Sequence, residues 1–416
     1  LSRTSTASSV LVIGAGVIGH ACALALQRRG CDVVMTDPDQ AGSAASWGNA
    51  GHIATEQAQP LASPATLRSA PGRLYAFGGP LSLRDPLSIA PWVWRYLRAC
   101  RPHTYERGRV ALRGLLAQAL PAWRHLAQTL EQPQLLRETG HWVCWESAGA
   151  AARGRAGWDG SDTGDTRFQT LADGDLGALR AASSAPIHSG IAFSGTAQIA
   201  DPRRLAAALQ ARFLADGGER RYDRIERLRS DGGGLVASTA EGETLRAQRV
   251  LVCAGVRSRA LMASLGIHAP LVAERGYHLQ WAEHRWPDLP PVVFEDRSMI
   301  VTRFEGGLRA AGFVEYAHAD SPPDPGKWRR LRLHVAELGL PVRGAHSRWF
   351  GARPTLPDYL PAMGRSARVP GLHYAFGHQH LGLTLAAISG ELLARSMSGE
   401  SDGTELAAFD LDRFGG

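Results

Sequence analysis

Residues 8–39 read SSVLVIGAGVIGHACALALQRRGCDVVMTDPD. Val10 to Ile13 form a short β-branched run, the signature of a buried parallel strand. Gly14, Gly16 and Gly19 follow in G-x-G-x-x-G spacing. An alanine- and leucine-rich stretch then predicts a helix, Gly30 ends it, and a second strand runs to Asp37. The glycines have separate tasks. Gly14 permits a tight turn, Gly16 lets the backbone approach a pyrophosphate, and Gly19 lets helix and strand pack closely. The helix start at Val17 and Ile18 offers unpaired N–H groups and a positive dipole end to a phosphate. Asp37 stands where a carboxylate binds the ribose hydroxyls of an adenosine, and it would repel a 2′-phosphate. A glycine triplet alone is weak evidence. Strand, glycines, helix, second strand and acid in this order predict a dinucleotide site.

The chain has 416 residues, enough for two domains sharing one enzyme, and its 44% apolar and 20% charged content is ordinary globular composition. The net charge of +7 comes mostly from arginine. These arginines are scattered, without basic runs or interleaved aromatics, so no nucleic-acid partner is expected. The charge is compatible with weak peripheral contact with an anionic leaflet. Cys22, Cys31, Cys100, Cys144 and Cys253 are odd in number and none lies in a C-x-x-C pair. They predict free thiols in a reducing compartment, without a disulfide framework or zinc site. The polar opening LSRTSTASS lacks an apolar signal core, and VLVIGAGVIG is too short and glycine-broken to span a bilayer. The expectation is a soluble, cytoplasmic protein.

After the second strand the chain departs from the usual NAD-binding succession. GSAASWGNAGHI (42–53) is a run of small residues able to lie against a flat cofactor, which makes Ser46, Asn49, Ala50, Gly51 and His52 candidates, with Trp47 in the same loop. Residues 55–85 read as loop and 86–130 as helical. QRVLVCAGVRSRAL (248–261) is a second buried strand, ending at Ala254–Gly255. Before it, residues 200–218 predict a helix entered through Asp201–Pro202. The cofactor domain is therefore discontinuous. Residues 1–85, 170–262 and 346–416 are assigned to a Rossmann-like α/β domain. Residues 86–169 and 263–345 are assigned to an α+β substrate insert. YHLQWAE, PVVFED, SMIVTRF and LRAAGFVEY alternate apolar and polar residues, as antiparallel strands with one covered face do. A helix is expected around 326–339.

Residues 351–394 read GARPTLPDYLPAMGRSARVPGLHYAFGHQHLGLTLAAISGELLA. The Arg353 guanidinium can fork onto a carboxylate or simply pair with a surface acid. Pro354 and Pro357 stiffen the turn that Asp358 braces. A short strand ends at Gly377, and a helix with the small residues Gly382 and Thr384 follows. His378 and His380, an i, i+2 pair entering a glycine turn, have poor zinc geometry even with His373 nearby, and no metal is expected.

VIGAGVIG, SAASWGNAGHI, VLVCAG, GARPTLPDYLPAMG and GHQHLGLTLAAISGELLA are spread from residue 10 to residue 394. Together they resemble the D-amino-acid oxidase/dehydrogenase family of FAD-dependent enzymes, which includes glycine oxidase and sarcosine oxidase. The bacterial D-amino-acid dehydrogenase branch is nearest, and GHQHLGLTLA is similar to dehydrogenases of D-hydroxyproline type. The resemblance implies a non-covalent FAD, since no cysteine lies near the closing motif. It makes Arg353 the clamp for a substrate carboxylate and puts Gly377 and His378 beside the flavin. It also implies that the helix start from His380 through Leu381, Gly382 and Leu383 to Thr384 stabilises negative charge on the reduced flavin. Tyr277, His278 and Glu315 become candidates for the substrate pocket.

The implied reaction takes hydride from the Cα–H beside an amine and leaves an imine, so no nucleophilic triad is needed. The implied substrate is a small D-amino or D-imino acid, best represented by cis-4-hydroxy-D-proline or D-proline. Electrons would pass to a quinone-type or dye acceptor. Alternatives are an oxygen-using oxidase of the glycine/sarcosine type and the flavin subunit of a hetero-oligomeric dehydrogenase.

Overall fold

Val10–Ile13 lies inside a six-stranded sheet. Its order is Glu219–Arg221, Val33–Thr36, Val10–Ile13, Arg249–Val252, Leu372–Phe376 and Ala362–Arg365. The first five strands run parallel and the last is antiparallel. The computed structural model describes residues 9–40, 42, 44–69, 74–75 and 79–415, so the polar opening lies outside the described residues. The strands come from four separate stretches of chain.

Helices Val17–Gln27 and Gly382–Met397 lie together on one face of this sheet. Gly390 permits the contact, since a Cβ there would stand 2.6 Å from the Ala21 carbonyl oxygen. Leu24, Leu26, Met35, Leu251, Leu385 and Ala386 fill the core between them. Each such buried leucine contributes about 1.5–3 kcal/mol. A three-stranded meander over Ile225–Ser230, Leu235–Thr239 and Thr244–Ala247 covers the opposite face through Leu228, Leu235 and Ala237.

The second sheet has nine strands. Eight run in the order Val342–Thr355, Val272–His284, Gly307–Ala317, Met299–Phe304, Val292–Phe294, His141–Trp145, Ser189–Ser194 and Arg167–Thr170, and Leu81–Leu83 pairs with Gly307–Ala317. The four alternating runs are antiparallel as expected. Two joints are parallel, at His141–Trp145 and at Leu81–Leu83. Helix Pro325–Glu337, capped by Asp324 accepting from the Gly326 N–H at 2.8 Å, seats Leu331 and Val335 on this sheet beside Tyr277 and Phe313.

Several assignments shift once the pairings are seen. Residues 189–194 and 346–355, expected with the nucleotide domain, belong to the second sheet by hydrogen bonding. Helices Pro102–Ala117 and Ala119–Thr129, expected in the substrate insert, place Leu112, Leu115 and Trp123 in the nucleotide core. The Trp123 indole N–H donates to the Leu383 carbonyl at 3.0 Å. Within 55–85, read as loop, Pro64–Ser69 is helical and Leu81–Leu83 is a strand. Local alternation says that a segment has one apolar face, but only a distant partner decides which core receives it.

A small third sheet pairs His52–Ile53 with Ala197–Ile199, which also pairs with Leu136–Arg137. All five cysteines are buried and unpaired. Among the described residues no helix is long and apolar enough to cross a membrane.

Candidate active site

A cavity of about 840 Å3 opens between the two large sheets. Its nucleotide wall begins at Gly16, Val17 and Ile18 and includes Asp37. The turn here requires glycine. Gly14 has φ +111°, and a Cβ on it would lie 2.3 Å from the Cys253 carbonyl oxygen. A Cβ on Gly19 would lie 1.9 Å from the Gly14 oxygen. Neither residue lines the cavity; both shape the wall that does. The Ala15 N–H donates to Asp37 Oδ2 at 2.8 Å, and the Val17 N–H donates to Ser46 Oγ at 3.0 Å. Ala254 and Gly255 close the same wall at the end of strand Arg249–Val252.

This cradle fits a dinucleotide, because glycine keeps the turn close to its neighbours: a Cβ at Gly16 would already stand 2.9 Å from Ser46 Oγ. Overpacking of this kind costs about 1–3 kcal/mol. Gly19→Ala is therefore expected to weaken FAD binding about ten- to a hundredfold, read as flavin absorbance per chain after dialysis. Full flavin retention would remove the cradle from the argument.

The small-residue loop is held from several sides. Asn49 Nδ2 donates to the Ser46 carbonyl at 2.6 Å, and Asn49 Oδ1 accepts from the Gly51 N–H at 2.7 Å. Thr302 Oγ1 donates to the Ala50 carbonyl at 2.9 Å, and buried Arg309 donates to the Asn49 carbonyl. Burial, reinforced by the Arg203 charge and opposed by Asp201, brings the Arg309 guanidinium down to about 10. Nothing in the local sequence marked Arg309 as a support for this loop.

Ser46, Asn49, Ala50, Gly51 and His52 all line the cavity. So do Gly382, Leu383, His378 and His380 from the closing motif. Thr384, Leu381 and Gly377 do not. Thr384 Oγ1 instead accepts from the Ala54 N–H at 2.9 Å, pinning the loop to the helix. Leu381 is core, and Gly377 (φ +81°) turns against Leu356. His380 Nε2 meets Gln57 Oε1, while His378 Nε2 lies 3.0 Å from Ser389 Oγ.

The second sheet supplies the opposite wall. Arg353 sits on strand Val342–Thr355 across from Glu274, and its Nη1 donates to Glu274 Oε1 at 3.0 Å. Glu274 Oε2 also accepts from Thr355 Oγ1 at 3.2 Å and from the Tyr359 hydroxyl at 3.3 Å. Sequence reading did not single out Glu274 or Tyr359. Gly276 leaves backbone alone beneath the guanidinium, since a Cβ there would come within 2.3 Å of Nη2.

Three pocket candidates have other surroundings. Tyr277 borders the cavity, but its ring packs on Trp328 at 5.4 Å, and its hydroxyl donates to Glu315 Oε1 at 2.9 Å and accepts from the Asp324 N–H at 3.0 Å. Burial and the Glu315 carboxylate push that phenol up to about 12. Glu315 does not line the cavity. It is buried against Arg275, whose Nε donates to it at 2.8 Å. His278 does not line the cavity, although it shares a sheet face with Arg353. Its Nδ1 lies 2.8 Å from the Gly48 carbonyl oxygen and its ring stacks on Trp349 at 5.1 Å. It buttresses the small-residue loop, because strand alternation turns it to the face that carries Arg353 and away from the face that carries Tyr277.

Burial pushes the imidazoles of His278 and His378 down to about 3. In an unfolded chain both titrate near 6.5. The fold holds them neutral, so their contribution to stability is complete above about pH 6.5 and is lost as the pH falls from there toward about 3. Each is expected to steepen the loss by about 1.4 kcal/mol per pH unit. Urea midpoints measured between neutral and mildly acidic pH check this, and His278→Gln should flatten the slope.

A glycine-turn nucleotide sheet joined to a second sheet across a deep cavity defines a dinucleotide-dependent oxidoreductase. The pattern that describes the DAO family, FAD dependent oxidoreductase, matches residues 9–396. This chain belongs to that family, and its cofactor is FAD. It is 33% identical to a D-amino-acid oxidase from Bradyrhizobium diazoefficiens over 97% of this chain and 98% of the relative. It is 31% identical to D-amino acid dehydrogenase 2 from Pseudomonas aeruginosa over 94% and 95% of the two chains. Among solved structures, glycine oxidase from Geobacillus kaustophilus superposes with a TM-score of 0.71 at 22% identity, covering 97% of this chain and 98% of that one. That likeness speaks for the fold.

Proposed function

We propose that this enzyme oxidises a small D-amino or D-imino acid at the carbon bearing nitrogen, with cis-4-hydroxy-D-proline or D-proline as the best representatives. The observation that carries the reading is Arg353. It reaches the cavity wall with its side chain 30% exposed, and among the described residues only its Nη1 has a protein acceptor. Nε and Nη2 remain for a carboxylate, and Gly276 makes room for the guanidinium that would hold it.

The other wall residues suit a substrate whose remainder, beyond its carboxylate, is compact and uncharged. Met299, Ile300, Phe313, Val314 and Phe350 are apolar, and the Gln57–His380 pair offers polar atoms to a ring hydroxyl. The carboxylates that line the cavity are Asp37 and Asp39, both at the nucleotide turn. No carboxylate of the wall that carries Arg353 lines the cavity among the described residues, so that wall offers an ammonium no counter-charge and favours the neutral amine, the form able to lose hydride from Cα. When bound, FAD supplies a two-electron acceptor for that hydride. Arg353 holds the substrate, the apolar wall excludes water, and the imine leaves. A cyclic product departs as a pyrroline carboxylate, and an acyclic one hydrolyses to a keto acid and ammonia.

The names of the two relatives, one an oxidase and one a dehydrogenase, support D-selectivity and leave two acceptors to compare. The preferred acceptor is quinone-like, reached by peripheral contact with a membrane. Oxygen is the second reading, favoured by the name of the relative at 33% identity. The test is the visible spectrum under anaerobic conditions, with D-proline, cis-4-hydroxy-D-proline, D-alanine and L-proline added in turn. Bleaching by a D-imino acid and slow recolouring in air is the expected result. A flavin that none of the D compounds reduces would overturn the substrate assignment.

A further inference from the structure

A buried cluster lies at the edge of the cavity, outside the chemistry just described. His52 and Glu56 come from the loop that holds the cofactor, and His141 comes from the second sheet. His52 Nε2 is 3.1 Å from Glu56 Oε1, and His141 Nε2 is 4.0 Å from the same oxygen. One donor atom from each residue falls within 4.8 Å of the other two. Around a tetrahedral ion with bonds of about 2.0–2.2 Å, neighbouring ligand atoms stand about 3.3–3.6 Å apart. The cluster brackets that spacing.

Two further observations point to a missing ligand. Glu56 Oε2 and His52 Nδ1 are buried and have no hydrogen-bond partner among the described residues, although the Glu56 side chain is only 2% exposed. His141 is also oriented for ligation. Its Nδ1 lies 3.1 Å from Thr196 Oγ1, and its ring stacks on Phe193 at 4.4 Å. An Nδ1–H donated to Thr196 leaves the Nε2 lone pair directed at the cluster, the outer-shell arrangement that ligating histidines use.

We propose that His52 Nε2, His141 Nε2 and Glu56 form a binding site for one divalent zinc-class cation, which fastens the cofactor loop to the second sheet. Two imidazoles and a carboxylate suit zinc, and the fourth position falls to the second Glu56 oxygen or to water. The ion adds a link between elements that already meet through Thr302 at the Ala50 carbonyl and Arg309 at the Asn49 carbonyl. Its two charges exceed the one carboxylate, so it adds net positive charge to a wall of the cofactor cavity.

The experiment uses tag-free holoenzyme dialysed against a chelator and then titrated with zinc chloride. Bound zinc is measured by mass spectrometry, and thermal unfolding is followed in parallel. The expected result is about one zinc per chain, with a midpoint that rises with zinc concentration. Glu56→Gln keeps the shape of the side chain and should abolish both effects. Thr196→Val removes only the orienting partner and should weaken zinc binding about 10–100-fold, which keeps the test decisive if Glu56→Gln does not fold. Wild-type protein that neither retains nor rebinds zinc overturns the site and leaves a His–Glu ion pair. Equal zinc binding by wild type and both variants overturns it as well, by placing the ion elsewhere. None of these readouts depends on the substrate.

Discussion

Arg353→Ala is expected to lower kcat/KM for the best D-imino acid by about 10²–10³-fold, with most of the loss in KM. Removing a charge-assisted fork onto a buried carboxylate costs about 3–4 kcal/mol, which corresponds to that factor. The fold should survive the change. Glu274 keeps the Thr355, Tyr316 and Tyr359 hydroxyls as donors when Arg353 is lost. The flavin spectrum and thermal midpoint of the variant are the controls. Arg353→Lys should recover only part of the loss, since an ammonium is a point charge without the planar fork. Unchanged substrate saturation in the alanine variant would remove Arg353 from substrate binding and take the carboxylate requirement with it.

The largest stability effect is expected behind the cavity wall, at Arg275 and Glu315. Both side chains are essentially unexposed, at 0% and 1%. Arg275 also donates to the Pro322 carbonyl at 3.1 Å, and Glu315 accepts from the Tyr277 hydroxyl at 2.9 Å. Glu315→Leu leaves a guanidinium in the core without its counter-charge, an arrangement that destabilises by about 3–5 kcal/mol. The double change Arg275→Met with Glu315→Leu removes both charges and should cost clearly less than the sum of the singles. Urea unfolding of the four proteins completes the cycle. Additive losses would mean that the two side chains do not depend on one another. The Tyr277 ring hangs from this pair, so Glu315→Leu is also expected to lower activity by shifting the wall.

The nucleotide half was legible because its chemistry is local. Gly14, Gly16, Gly19 and Asp37 fall in one strand–turn–helix–strand unit whose spacing is itself the signal, although the Cβ that Gly14 must lack would strike the distant Cys253 carbonyl. The same holds for Asp201, which caps helix Pro202–Ala215 by accepting from the Arg203 N–H at 2.8 Å. The substrate half was less legible. Tyr277 and His278 are adjacent on one strand and looked equivalent in sequence. Pleating puts them on opposite faces, so the Tyr277 ring packs on Trp328 of helix Pro325–Glu337 while His278, on the face of Arg353, supports Gly48. The sequence showed alternation but not which phase faced the cofactor, because that depends on what covers each side of the sheet.

By itself, then, the sequence determined a glycine-turn dinucleotide unit, its return in the strand ending at Ala254–Gly255, and an arginine motif ahead of a small-residue helix. These features follow from steric limits and dipoles that act over a few residues. Only the tertiary structure decided that Arg353 shares Glu274, that Arg309 secures the small-residue loop, and that His141 meets His52 and Glu56. Each of those contacts joins residues far apart in the chain. Their formation rests on the registers of two sheets and the packing between them, which no local spacing encodes.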